Sequence, residues 1–90
     1  MEYKLKGERL ALEIKVDVKL DALGLFCPIP IWEAAKALDG MRPGQVIEVL
    51  SDDEAVRGDM TAWCKQTGNK LLGIDEANGK YWCYVKKNDH

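Results

Sequence analysis

Two prolines, Pro28 and Pro30, follow Cys27 within three residues. Proline fixes φ at about −65° and has no backbone N–H, so this segment fits neither a helix interior nor a central strand, but it suits the first turn of a helix. The apolar residues that follow recur at helical spacing: Ile31, Ala34, Ala35 and Leu38. The sequence therefore predicts a helix that runs to about Asp39, with Gly40 as its stop and Cys27 as its N-cap.

Residues 9–20 alternate between apolar and polar side chains. A period of two predicts a half-buried strand. Its length of about twelve residues exceeds the roughly five or six of a usual strand, so the strand either bends or is two separate strands. We treat residues 1–14 as a strand-like N-terminal extension and residues 15–90 as the folded domain.

A second strand and a second helix are predicted in the middle of the chain. Residues 45–50 are mostly apolar and follow a Pro-Gly turn, which is typical of a strand that is largely buried on both sides. Ser51 and Glu54 have the spacing of a capping box. This box is expected to open a helix that ends near Thr67, before Gly68.

Two runs with strand character, residues 70–76 and 81–87, flank a short segment that contains Asn78 and Gly79. Asn-Gly is the strongest short-range signal of a two-residue hairpin loop. With that loop, two cross-strand pairs are expected: Ile74 with Cys83, and Leu72 with Val85.

These elements follow the order β-α-β-α-β-β. Ninety residues allow at most one hydrophobic core, because so short a chain buries only roughly 60% of its unfolded surface. We therefore predict a single α/β (α+β) domain. It is a two-layer sandwich in which a four-stranded mixed sheet carries both helices on one face.

Composition narrows the class of protein. Hydrophobic residues are 47% of the chain and charged residues 31%, which is typical of a globular protein. No stretch approaches the ~20 apolar residues of a membrane span, and the first residues lack the apolar segment of a secretory signal. Thirteen Lys and Arg against fifteen Asp and Glu give a net charge of −2, without a basic run that could follow a phosphate backbone. We expect a cytoplasmic protein that binds neither membranes nor nucleic acids directly.

The chain has three cysteines, Cys27, Cys64 and Cys83, and one histidine, His90. Without a Cys-x-x-Cys pair, the usual four-ligand zinc patterns and a local dithiol motif are excluded, so no metal is expected. Hairpin pairing places Cys83 in the core, and Cys64 falls at the border of the apolar face of the second helix. His90 is interpreted as a solvated chain end, which leaves a nucleophilic hydrolase without a candidate base.

Cys27 is the thiol best placed for chemistry. The dipole of a helix stabilises a thiolate at its N-terminus, so the pKa of such a cysteine can fall below the ~8.5 of a free one. Pro28 and Pro30 remove two N–H donors from this helix start, so we expect the pKa to fall only modestly. The thiolate could attack a persulfide or disulfide sulfur and release it to another nucleophile. From spacing alone, the alternative is that Cys27 is only a small N-cap residue.

Residues 20–30 read Leu-Asp-Ala-Leu-Gly-Leu-Phe-Cys-Pro-Ile-Pro. This segment resembles the signature of the TusA (SirA-like) family, Leu-Asp-x-x-Gly-Leu-x-Cys-Pro-x-Pro, and the resemblance continues over roughly residues 16–87. It implies a sulfur carrier, or sulfurtransferase, in which Cys27 bears a covalent persulfide and no other cofactor is needed.

The resemblance also implies partner proteins. A cysteine desulfurase or another sulfurtransferase would load Cys27, and an acceptor protein would remove the outer sulfur. Routes such as tRNA thiolation, molybdenum-cofactor assembly and sulfur oxidation are implied, with no choice among them. Two other classes of function stay open: a protein-interaction module in which Cys27 is incidental, and a thiol redox sensor that uses Cys27 with Cys64.

Four residues near Cys27 are expected to shape its site. Gly24 is expected to adopt a φ open only to glycine, and Asp21 to hydrogen-bond nearby backbone, so that both aim the thiol. Pro28 and Pro30 add rigidity on the other side of Cys27.

Phe26 has two interpretations. With Cys27 as the N-cap, Phe26 and Ile31 hold the positions of a hydrophobic staple, which is the interpretation that we favour. Alternatively, Phe26 belongs to an exposed apolar rim and is the candidate partner-binding residue. Leu23 and Phe26 stand where the family often has Arg and a polar or basic residue, so both departures remove positive charge near the thiol.

Overall fold

The computed structural model describes residues 14–88 of the chain. It contains six elements in the predicted order: β1 (Val18–Asp21), α1 (Ile29–Asp39), β2 (Val46–Ser51), α2 (Val56–Thr67), β3 (Lys70–Ala77) and β4 (Lys80–Lys86). Nearly all of the predicted strand-like extension, residues 1–13, lies outside the described residues, and so does His90.

The four strands form one mixed sheet in the order β1-β2-β4-β3. β1 and β2 are parallel and are joined through α1, whereas the other two neighbouring pairs are antiparallel. Both helices contribute their buried faces to one core against the sheet. Its central members are Ile31, Ala34, Leu38, Val56, Met60, Ile47, Val49, Cys83 and Val85. The predicted two-layer α+β sandwich, with both helices on one face of the sheet, is therefore confirmed.

The hairpin of β3 and β4 turns through Asn78 and Gly79, whose φ values are 53° and 75°. Two consecutive positive φ values are those of a type I′ turn, whose twist matches that of the flanking strands. The predicted two-residue loop is confirmed.

The register of this hairpin departs from the prediction at one position. Ile74 lies opposite Cys83 as expected, but Val85 lies opposite Leu71 rather than Leu72. The ladder shifts directly after Leu71, so Leu72 is the extra residue of a β-bulge. The predicted pair of Leu72 with Val85 is wrong for that reason.

β1 begins only at Val18. It is therefore shorter than the strand that the alternation of residues 9–20 predicted. The N–H of Asp17 donates to the Val46 carbonyl at 2.9 Å, and Oδ2 of Asp17 accepts the Val46 N–H at 2.8 Å. The Asp17 side chain thus takes the backbone N–H of Val46, the first residue of β2. The parallel pairing of β1 with β2 does not continue beyond this residue. A strand is wrongly predicted for residues 14–17.

The helices end where predicted but do not begin where predicted. α1 is followed by Gly40 and α2 by Gly68, whose φ of 83° is left-handed. At the start of α2, Ser51 is the last residue of β2 rather than a helix cap. The predicted capping box of Ser51 and Glu54 is wrong, because the sheet retains Ser51 and the N-cap is Ala55.

Asp53 serves the start of α2 in place of that box. Its Oδ1 accepts a hydrogen bond from the Ala55 N–H at 3.0 Å, and its carbonyl accepts one from the Val56 N–H at 3.0 Å. The Asp53 N–H in turn donates to Oγ of Ser51 at 3.1 Å. The segment between β2 and α2 is therefore held by short-range bonds, which fix the position of the Asp53 side chain.

Candidate functional site

Cys27 lies in the segment that joins β1 to α1, at the edge of the core, and is half-buried. The segment leaves the sheet at Ala22, whose N–H donates to the Leu50 carbonyl of β2 at 2.8 Å. Oδ1 of Asp21 then accepts the Leu23 N–H at 3.0 Å, and Gly24 has a φ of 82°. The local geometries expected for Asp21 and Gly24 are both present.

The helix cap is one residue later than predicted. The N-cap of α1 is Pro28, with φ −94° and ψ 13°, and the helix begins at Ile29. The peptide bond between Cys27 and Pro28 is cis. Cys27 therefore precedes the cap, and its predicted role as the N-cap residue is wrong.

The backbone donors of this first turn do not serve the thiol. The Ile29 N–H donates to the Phe26 carbonyl at 2.9 Å, and the Ile31 N–H donates to the Pro28 carbonyl at 3.0 Å. Pro28 and Pro30 have no N–H at all. Within residues 28–31, each backbone N–H is thus either hydrogen-bonded to a carbonyl or replaced by a proline nitrogen. This removes most of the stabilisation that a helix start offers a thiolate.

Carboxylates surround the Cys27 segment instead. Oδ2 of Asp53 accepts the Cys27 N–H at 2.9 Å, and the Asp52 carboxylate accepts the Gly24 N–H at 3.1 and 3.3 Å. The carboxylate of Asp59, in the first turn of α2, is close enough to the Cys27 thiol for its negative charge to raise the pKa of that thiol. Three acidic side chains, which we call the acidic rim (Asp52, Asp53 and Asp59), therefore meet at the segment that carries the thiol.

The sequence prediction did not include the acidic rim, although topology contained a signal for it. β1 and β2 are parallel neighbours, with Asp21 beside Leu50. The segments that follow the carboxyl ends of parallel neighbours leave the sheet at the same edge. The pairing of β1 with β2 therefore places Asp52 and Asp53 beside the segment that leads to Cys27.

These surroundings raise the pKa of Cys27 to about 11. Burial of the sulfur is the largest cause, followed by the negative charges of Asp53 and Asp59 and by an interaction with the Asp59 carboxylate that favours the protonated thiol. The expected modest fall in the pKa of Cys27 is wrong. The physical reason is that carboxylates, rather than helix N–H groups, face this thiol.

Phe26 is turned towards solvent, with 76% of its surface exposed. The predicted staple with Ile31 is wrong, because the cap at Pro28 moves the staple positions one residue along the chain. Three further large apolar side chains are exposed nearby, at 37%, 38% and 61%: Leu23, Ile29 and Trp32. We call these four residues the apolar patch.

The other two thiols lie in the core. Cys83 is fully buried, as expected, whereas Cys64 is only 4% exposed rather than at the border of its helix face. Burial raises the pKa of Cys64 to about 11 and that of Cys83 to about 12. Of the three cysteines, Cys27 is the one that a protein partner can reach.

Two further properties concern residues 14–88. In this part of the chain, no three His, Cys, Asp or Glu side chains are grouped so that they could hold a metal ion. None of its helices has the length and hydropathy to cross a bilayer.

The chain is similar to known proteins in sequence and in fold. The profile of the family described as sulfurtransferase TusA matches residues 18–87. A sulfur carrier protein TusA of Allochromatium vinosum is 44% identical over 72 residues, which cover 80% of this chain and 95% of that protein. The crystal structure of a SirA-like protein from Desulfitobacterium hafniense superposes with a TM-score of 0.70 at 28% identity, covering 81% of this chain and 100% of that one. Each match includes most of the chain.

Proposed function

Because this chain belongs to the TusA family of sulfurtransferases, we propose that Cys27 carries sulfur as a persulfide, which it receives from a donor protein and passes to an acceptor protein. The observation that carries this proposal is that Cys27 is half-buried whereas Cys64 and Cys83 are buried in the core. The protein acts as a carrier, loaded once and unloaded once in each cycle.

The transfer consists of two exchange reactions at sulfur. The Cys27 thiolate attacks the outer sulfur of a persulfide on the donor, the donor's S–S bond breaks, and a donor thiolate leaves as the Cys27 persulfide forms. A nucleophile on the acceptor then attacks the outer sulfur of that persulfide, and the Cys27 thiolate leaves. One S–S bond is broken for each that forms when the acceptor group is a thiolate, so no external oxidant or reductant is consumed.

Residues on both sides of Cys27 support this role by fixing its backbone. We propose Asp21 and Gly24, which shape the turn before the thiol, and Pro28 and Pro30, which shape the helix start after it, as positioning residues. Phe26 is proposed as a partner contact, because its side chain is exposed and it directly precedes Cys27 in the chain.

The donor is a cysteine desulfurase or another sulfurtransferase, and the acceptor is a protein of tRNA thiolation, molybdenum-cofactor assembly or sulfur oxidation. We propose a cytoplasmic location, where reducing conditions would keep the Cys27 thiol available for exchange. The persulfide is its only prosthetic group, and direct contact with nucleic acid or membrane is not part of this function.

Mass spectrometry after incubation with a cysteine desulfurase and cysteine tests the proposal. We expect an addition of about 32 Da on Cys27, and none in Cys27→Ser, which should fold normally because the N-cap is Pro28 and the serine side chain is similar in size. An unmodified Cys27 in the folded protein would favour an interaction module. A disulfide between Cys27 and Cys64 would favour a redox sensor, which requires Cys64 to leave the core.

A further inference from the structure

The apolar patch is concentrated around the thiol. Leu23 and Phe26 precede Cys27, and Ile29 and Trp32 follow it, so four exposed large apolar side chains fall within ten residues of the chain. Ile29 and Trp32 are three residues apart in α1 and therefore share a face of the helix. An apolar surface of this kind beside a reactive group marks a contact site for another protein.

The acidic rim borders the same thiol. The Asp53 carboxylate accepts the Cys27 N–H and the Asp52 carboxylate accepts the Gly24 N–H. The negative charge of Asp59 also acts on the Cys27 thiol. A partner that reaches the Cys27 sulfur therefore comes next to these carboxylates. Removing a carboxylate from water is costly unless a cation replaces the lost hydration.

We propose that the proteins that exchange sulfur with Cys27 dock through an apolar groove that covers the apolar patch and through a Lys or Arg side chain that pairs with Asp53 and Asp59. This inference rests on the proposed function and specifies the chemistry of the partner surface. A partner with an acidic surface would repel these carboxylates and would also strip them of water, so it would bind poorly. The acidic rim therefore selects among partners as well as binding them.

The same cation has a chemical consequence. In the free carrier, the carboxylates oppose the negative charge that develops on the Cys27 sulfur. A cation held between Asp53 and Asp59 offsets them at the moment when the thiol ionises. The carrier is therefore slow towards stray electrophiles in solution and becomes reactive when its partner docks.

Four symmetric disulfides of short cysteine peptides test this proposal. Next to the cysteine, the peptides carry Lys with Leu, Lys with Ser, Glu with Leu, or Glu with Ser. In each reaction the Cys27 thiolate attacks one peptide sulfur, a mixed disulfide forms and one peptide thiolate leaves. Rates are divided by those of N-acetylcysteinamide with the same peptides, so that differences in leaving group cancel.

We expect the Lys peptides to react about tenfold faster than the Glu peptides at low salt, the lower end of electrostatic steering, and the Leu peptides to react faster than the Ser peptides. Asp53→Asn and Asp59→Asn should each reduce the preference for Lys, and Trp32→Ser the preference for Leu. Asp39→Asn, at the far end of α1, is the matched control and should reduce neither. The preference for Lys should also shrink in ~1 M salt, where the Debye length is about 3 Å.

The proposal is overturned if the wild-type protein shows no preference for Lys over Glu or none for Leu over Ser. It is also overturned if the Lys preference is unchanged in Asp53→Asn and Asp59→Asn, or the Leu preference in Trp32→Ser. The assay needs only the thiol of Cys27 and a disulfide, so its outcome is independent of whether a desulfurase loads a persulfide. Failure here with a positive result for persulfide loading would reject the partner surface and leave the carrier function intact.

Discussion

The backbone N–H of Cys27 donates a hydrogen bond of 2.9 Å to the carboxylate of Asp53. This bond joins the segment after β1 to the segment after β2. The parallel pairing of these strands brings both segments to one edge of the sheet. It fixes the main chain of the cysteine and places a negative charge beside its sulfur. Positioning and activation of this thiol are therefore separate, and the fold supplies the first without the second.

That separation predicts a slow free thiol. With a pKa of about 11, Cys27 is almost entirely protonated at neutral pH, so its alkylation by iodoacetamide should rise about tenfold per pH unit between about pH 7 and pH 10. Peptide mass spectrometry of the wild-type protein reports Cys27 separately from the two buried thiols. An inflection at or below about pH 8.5 would show that the carboxylates do not govern this thiol.

Asp53 should also leave a signature in acid. The N–H groups of Cys27 and Ala55 donate to its carboxylate and lower its pKa. A pKa that is lower in the folded state stabilises the protein above the unfolded value of about 3.9, and this contribution is lost as pH falls through the folded value.

We therefore expect urea denaturation to show wild type more stable than Asp53→Asn at pH 7, with the difference in unfolding free energy shrinking as the pH is lowered below about 5. The amide oxygen of the variant can still accept one backbone bond, so the variant should fold. A difference that stays constant as the pH is lowered would mean that Asp53 contributes through its shape and not through its charge.

Apolar patterns together with proline, glycine and Asn-Gly signals predicted the order of the helices and strands of the described fold, because each element has one face against a common core. These signals failed at two local irregularities. The Asp17 side chain accepts the Val46 N–H where β1 would otherwise continue, and a bulge at Leu72 shifts the register of the hairpin. Neither irregularity repeats along the chain, so neither can be recognised from the spacing of apolar residues.

The site was predicted only in part for a related reason. The Cys-Pro-x-Pro segment pointed to Cys27 as the candidate thiol, and the positive φ expected at Gly24 is present. The pKa of Cys27, however, depends on Asp53 and Asp59, which are 26 and 32 positions away in the sequence. Their contribution follows from the pairing of β1 with β2, which must be known before the charges near the sulfur can be counted.

The two core thiols should affect stability and not transfer. Cys83→Ala and Cys64→Ala each remove a buried sulfur, and we expect Cys83→Ala to cost more, about 1–2 kcal/mol, because Cys83 is fully buried. For a domain of this size that corresponds to a fall in Tm of roughly 4–8 °C per kcal/mol. Loading of Cys27 by a desulfurase should persist in both variants, and its loss in either one would contradict a single-cysteine mechanism.

A pair of glycine substitutions can separate backbone strain at the site from ordinary changes of stability. Gly24 has a φ of 82° with open space where a Cβ would stand, so Gly24→Ala introduces backbone strain without a clash. We expect a loss of about 1 kcal/mol and slower loading of Cys27, because the turn that we propose to position the thiol is disturbed. Gly58 also has open space around it but lies within α2, so Gly58→Ala should stabilise the fold by roughly 0.5–1 kcal/mol.

Thermal denaturation and the rate of desulfurase loading are measured on both variants. Gly58→Ala should load at the wild-type rate, because the substitution lies outside the Cys27 segment. Gly24→Asn should recover part of both losses, since asparagine tolerates a positive φ better than alanine does. If Gly24→Ala is destabilised but loads at the wild-type rate well below its Tm, the turn at Gly24 stabilises the fold without positioning Cys27.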